Sequence, residues 1–193
     1  MTDNLSKYGP FIQGFIDKGY AVVATDYSGL GTTGRHFYSH RESNARDAIE
    51  SVRAATTAYP SLSKSFVVMG HSQGGLAAIG VAETIASLPI GPLQYKGAIA
   101  IAPGTGTVQQ YFKAMERNGT SDPTTLAYML YYAATLKLSN PGIPYSDILS
   151  SDTVSLMPAA ESQCLDELRS TLKSTPNLPK YFVKSSWASH QAL

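Results

Sequence analysis

The sequence predicts an α/β fold: a parallel sheet flanked by helices, with an inserted helical cap. Three observations predict it. Apolar, β-branched runs at 20–26, 65–69 and 95–102 alternate with helix-spaced segments, the rhythm of parallel strands joined by right-handed crossovers. Past Thr107 the strand-like runs stop and three helical patterns follow one another. Near Gly70 a strand hands over to a helix through a serine flanked by glycines. The expected division is a core unit, 1–107, and a helical cap or lid, 108–193.

Each element has its own local reason. Within 10–18, Phe11, Ile12, Phe15 and Ile16 recur at helical spacing, and Gly19 follows as a C-cap. The run Tyr20-Ala-Val-Val-Ala-Thr-Asp26 suits a strand buried on both faces. A glycine-rich loop, 28–35, comes next. Ser39-His-Arg-Glu42 then matches a capping box. From there Ala45, Ala48, Ile49, Val52 and Ala55 fall on one helix face, which Pro60 closes off. The second strand, 65–69, is also apolar enough to be buried. The helix expected over 73–87 is apolar on most sides, through Leu76, Ala77, Ile79, Val81, Ala82 and Ile85, as befits a helix inside a layer. A third strand, 95–102, ends at Pro103-Gly104. In the cap, 108–118 reads as a helix, Asp122-Pro123 opens a second that runs to about Leu138, and 159–172 reads as a third.

Bulk properties exclude several classes. With 193 residues, 43% of them hydrophobic, the chain can fill one sizeable core but not two large domains. The formal charge is +1 and no basic run is long enough for a nucleic-acid face. Cys164 is the single cysteine, so an internal disulfide is excluded, and a small half-buried hydrophobe is preferred there over a catalytic thiol. The start, MTDNLSKYGPF, has neither the basic opening nor the apolar run of a signal peptide. The most apolar stretch, 126–138, is too short and too rich in tyrosine to span a bilayer.

The chemistry concentrates at Gly70-His-Ser72-Gln-Gly74. A serine between strand and helix takes a strained backbone so that its hydroxyl stands clear of the sheet, and residues two before and two after must be small to avoid collision. Gly70 and Gly74 fill those places, Ser72 is the candidate nucleophile, and the backbone N–H of Gln73 is placed to hold an acyl-transfer oxyanion. His71 points away from the hydroxyl in such a turn, so a structural or pocket-lining role is expected of it.

Two further patterns imitate sites. Gly29-Leu-Gly31-Thr-Thr-Gly34 has the spacing of a dinucleotide-binding loop. Its third glycine does not open a helix, and no acidic residue ends a second strand about twenty positions on. A flexible loop beside the active-site edge is the preferred reading, with Asp26 tying down the strand end. His36 and His40 are four apart, as metal ligands on a helix would be, but lack convergent partners and read as solvated loop histidines. Leu126, Tyr128, Met129, Leu130, Tyr131 and Tyr132 make their helix apolar nearly all round, which suits core packing or the lining of an acyl-chain pocket or lid.

Taken together, Tyr8-Gly-Pro-Phe-Ile, Gly19-Tyr-Ala-Val-Val-Ala-Thr-Asp26-Tyr-Ser-Gly-Leu-Gly31, Gly70-His-Ser-Gln-Gly-Gly75 and Ile99-Ala-Ile-Ala-Pro-Gly104 resemble the secretory lipase family, lipase A-like α/β-hydrolases with a helical cap. The resemblance runs from about Tyr8 to Trp187. It implies a secreted serine hydrolase acting on small-molecule esters or acylglycerols, in contact with a lipid–water interface, with no metal or organic cofactor. Ser72 and the Gln73 amide carry over as catalytic.

The departures from that family are specific. It has strands ahead of position 20, one leading to a second oxyanion donor, and two strands beyond the cap that bring the triad Asp and His. No Gln-Gly-x-x-Asp-like segment follows a strand here. Asp147, Asp152 and Asp166 precede His190, which satisfies the chain order of a triad, but the three carboxylates belong to the cap and 181–183 is short for a strand. The expectation is a partial α/β-hydrolase fold cut at both ends, weakly active or inactive and poorly stable. Two alternatives remain open: another α/β-hydrolase specificity (peptidase or acyltransferase), and a non-enzymatic module that binds a lipid or a partner.

Overall fold

A computed structural model describes residues 8–104 and 122–175. Helix α1, Gly9–Ile16, carries Pro10 in its first turn, and Gly19 follows at φ 84°. Helix α2, Arg41–Ala58, precedes strand β1, Ser65–His71. Helix α3, Gln73–Thr84, continues through a 3-10 turn, Ile85–Ser87, towards strand β2, Gln94–Ile101. β1 and β2 pair in parallel, with Phe66 opposite Tyr95 and His71 opposite Ile101. The α3 crossover between them is the feature that alternating strand and helix patterns require.

One face of this sheet carries the first core. Phe66 and Val68 of β1 meet Ala78 and Val81 of α3 and Ala45 and Ile49 of α2. The periods agree: alternate strand residues point to one side, and α2 presents 45 and 49 on one stripe. The other face is open among the described residues, where Val67 (53% exposed), Ile99 and Ile101 remain accessible.

The run 20–26 departs from expectation. It forms no strand, and Tyr20, Val22 and Val23 are exposed rather than buried on both faces. Its composition favours a pleat, but a strand exists only with a neighbour to complete its ladder, and β1 finds that neighbour in β2 alone among the described residues. The expected Ser39–Glu42 capping box does not form, and the Glu42 carboxylate pairs with Arg46 instead. His40, not Ser39, is the N-cap of α2, and its Nδ1 accepts from Ser43 N–H at 3.2 Å.

Residues 122–175 are helical: α4, Pro123–Ser139; α5, Tyr145–Ile148; α6, Ser151–Val154; α7, Met157–Ser162; and α8, Leu165–Ser174. Asp122 caps α4 by accepting from Thr124 N–H and Thr125 N–H at 3.2 and 2.9 Å. A second core, built on Leu126, Leu130, Ile148, Leu149, Leu168 and Leu172, holds these helices together. The expected single helix over 159–172 is two, because Cys164 breaks it. Its N–H donates to Glu167 Oε2 at 3.1 Å in a capping box, while Tyr131 donates its hydroxyl to Gln163 O at 2.9 Å. Cys164 is accordingly exposed at a helix start, not half-buried. The expected helix over 108–118, the boundary at 107/108 and the segment 181–183 lie outside the described residues. No described helix is long and apolar enough to cross a membrane.

Candidate active site

Between β1 and α3 the chain turns at Ser72, whose φ of 56° and ψ of −115° lie in a region that residues with a Cβ rarely adopt. The turn is tied from both sides. Ser72 N–H donates to Ile101 O at 3.0 Å, and Ser72 O accepts from Leu76 N–H at 3.1 Å. Ser72 is exposed, outside the regular helix and clear of either core.

The glycines around it are not equivalent. A Cβ at Gly70 would lie 2.1 Å from the carbonyl carbon and oxygen of Gly74, so only glycine fits there. A Cβ at Gly74 would meet nothing nearer than Tyr27 Oη at 3.9 Å. Both glycines were expected to be sterically required; the structure places that requirement at Gly70, where the strand passes under the helix backbone. Gly75 is the second tight position, 3.0 Å from Ile101 O and Pro103 Cα.

Gln73 opens α3, so its N–H has no acceptor within the helix and lies beside Ser72, where the positive end of the helix dipole is found. Its side chain reaches back to α2 and the 27–40 loop. Nε2 lies 2.8 Å from His36 Nε2 and donates to Asn44 Oδ1 at 3.2 Å. Asn44 is 1% exposed and donates through Nδ2 to Phe37 O at 3.2 Å. His36 Nδ1 bonds Ser28 O at 3.2 Å, and its ring stacks on Tyr27 with centroids 5.7 Å apart. Burial lowers the His36 pKa below 6.5, opposed by the Ser28 bond and the Asp47 charge. Burial likewise raises the Tyr27 phenol to about 12, helped by Asp47.

Several expectations change here. Asp47 of α2, not Asp26, ties down the chain just past the 20–26 run: its carboxylate accepts from Ser28 N–H at 2.9 Å and from Ser28 Oγ at 2.6 Å. His36 and His40 are not solvated loop histidines; one joins the elbow network and the other caps α2. The Gly-x-Gly-x-x-Gly loop is no phosphate cradle. Gly29, at φ 83°, packs on the Arg35 backbone, and the next helix begins at Arg41, well past Gly34. His71 is exposed at the end of β1.

The same loop docks on the helical unit. Tyr38 lies against Tyr128, Tyr131 and Tyr132 of α4 with centroids 5.9, 5.6 and 5.1 Å away, and Thr135 Oγ1 donates to Tyr38 O at 3.0 Å. Arg35 pairs with Glu161, which also accepts from Tyr145 Oη at 2.6 Å. The surplus aromatic face of α4 therefore packs on Tyr38. Asp147, Asp152 and Asp166 are exposed on α5, α6 and α8, and Asp166 pairs with Arg169 at 3.2 Å. None of the three has a described bond to Ser72, and His190 lies outside the described residues.

Tyr27, Asn44 and Asp47 were not anticipated. Asn44 had a signal: it sits four residues before Ala48 on the apolar stripe of α2, where a polar side chain needs partners.

Comparison with known proteins agrees with this architecture. Residues 1–155 match the Hydrolase_4 family model, described as serine aminopeptidase, S33. A crystal structure of a "putative hydrolase" from Legionella pneumophila superposes with a TM-score of 0.70 at 20% identity, over 92% of this chain and 49% of that one. This chain thus spans about half the length of that protein, and the likeness concerns the fold. No curated protein matches the sequence. The family match, the parallel sheet with its helical crossover and the superposition together make the chain a member of the S33 serine aminopeptidase family of the α/β-hydrolase superfamily.

Proposed function

We propose that this chain supplies the nucleophile-bearing part of a serine hydrolase that cleaves carboxylic esters of lipids, acylglycerols above all, through an acyl-enzyme on Ser72. The observation that carries the reading is the exposed Ser72 at φ 56° and ψ −115°, between the last residue of β1 and the first of α3. A histidine outside the described residues takes the Oγ proton as Oγ attacks the ester carbonyl. The Gln73 N–H donates to the resulting oxyanion, the alcohol leaves with the proton, and water releases the acid by the reverse sequence. The helices of 122–175 act in this proposal as the cap over the site. Secretion and contact with a lipid surface belong to the same proposal, supported by the lipase resemblance alone.

The family's description as serine aminopeptidase favours a second reading, in which the bond cleaved is the amide of an N-terminal residue. The same serine would attack, and the pocket would decide the substrate.

The test uses the purified 193-residue chain. A fluorophosphonate probe is expected to label Ser72 slowly and to leave Ser72→Ala unlabelled, with turnover of p-nitrophenyl esters close to background. No labelling of the folded chain would remove the nucleophile reading. Faster hydrolysis of aminoacyl p-nitroanilides than of p-nitrophenyl esters, lost in Ser72→Ala, would replace the lipase reading with the peptidase one.

A further inference from the structure

The glycine-rich loop touches the Gln73 side chain through His36, and the hydrogen bonds there have one consistent proton pattern. Ser28 O can only accept, so His36 Nδ1 carries the proton of their 3.2 Å bond. His36 Nε2 is then a lone-pair acceptor, and it faces the Gln73 amide nitrogen at 2.8 Å. The second proton of that amide goes to Asn44 Oδ1, and Asn44 is itself fixed by Phe37 O. Ser28 is held in turn by both oxygens of Asp47. The donors and acceptors are matched from α2 through the loop to the first residue of α3.

We infer that His36, as its Nδ1–H tautomer, is a positioning residue that clamps the Gln73 side chain and thereby sets the direction of the Gln73 N–H beside Ser72. The Ser72–Gln73 peptide is held at its carbonyl end by the amides of Leu76 and Gly104, at 3.1 and 3.4 Å. Its N–H end has no helical bond of its own. The side-chain bonds of Gln73 to His36 and Asn44 supply the second point of attachment. The inference rests on the roles proposed for Ser72 and Gln73.

Two substitutions separate clamping from simple loop anchoring. His36→Gln puts an amide oxygen near the place of Nε2 and keeps an acceptor for Gln73, while losing the donor to Ser28. His36→Asn keeps a donor near the place of Nδ1 and loses the acceptor. Both are measured in the full chain by the rate of fluorophosphonate labelling of Ser72 and by hydrogen exchange of the Leu76 amide, which closes the first turn of α3. His36→Gln is expected within about twofold of the parent. His36→Asn is expected to label about tenfold slower and to exchange Leu76 about tenfold faster, the scale of one lost hydrogen bond in a partly buried site.

The reverse ranking, or equal behaviour of the two variants, overturns the clamp. If the parent never labels but Leu76 exchange splits as stated, the hydrolase reading fails and the clamp stands. Nitrogen NMR of the parent gives a test that needs no variant: a proton on His36 Nε2 instead of Nδ1 would also overturn it.

Discussion

Alanine at Gly70 and alanine at Gly74 should have opposite consequences, although a Gly-x-Ser-x-Gly pattern treats the two glycines alike. At Gly70 the new Cβ starts 2.1 Å from the Gly74 carbonyl, and ordinary contact begins at 3.4 Å, so backbone must move by about 1.3 Å. The atoms in the way are main chain, which cannot rotate aside as a side chain could. Overpacking of this kind costs about 1–3 kcal/mol, and a collision with backbone belongs at the upper end. For a chain of this size about 3 kcal/mol lowers Tm by about 6–12 °C. At Gly74 the nearest atom is Tyr27 Oη at 3.9 Å, and the position is helical, so alanine is neutral or stabilises by about 0.5–1 kcal/mol. Urea denaturation followed by circular dichroism measures both. Equal losses at the two positions, or a Gly70→Ala chain as stable as the parent, would refute the steric account of the turn.

Ser72→Gly should be more stable than Ser72→Ala by about 1 kcal/mol in the same assay, because glycine relieves the positive φ that alanine retains. Leu130→Ala, at a fully buried position of α4, should cost about 2–5 kcal/mol in urea. The His36 pKa lies below 6.5 because burial disfavours the imidazolium. As pH falls, the unfolded chain therefore takes up this proton first. The contribution is fully present above about 6.5 and is lost as pH drops through the folded value. Urea midpoints between pH 8 and 5 should show that decline, and His36→Gln should flatten it.

What the sequence made legible was local. Asp122 before Pro123 announces α4 because cap and first turn are neighbours in the chain. The elbow at Ser72 is legible because a buried strand, a tight bend and an apolar helix follow one another without a break. The run 20–26 shows where locality fails, since its composition states a preference for a ladder but not whether a partner strand stands beside it. The candidate site fails for the same reason at longer range. Ser28 finds Asp47 across 19 residues, His36 finds Gln73 across 37, and Tyr38 finds Thr135 across 97. Pairs of this kind leave no periodic trace. The break at Cys164 was hidden differently, because the apolar spacing continues across a point where capping bonds interrupt the helix.

The loop that joins Tyr27 to His40 has a mechanical consequence. Among the described residues the two hydrophobic clusters share no side chain, and this segment bonds to Gln73 and Asp47 on the sheet unit and, through Tyr38 and Arg35, to Thr135 and Glu161 on the helical one. The stretch of chain that steadies the turn carrying Ser72 is therefore also one that fastens the helical bundle to the sheet unit.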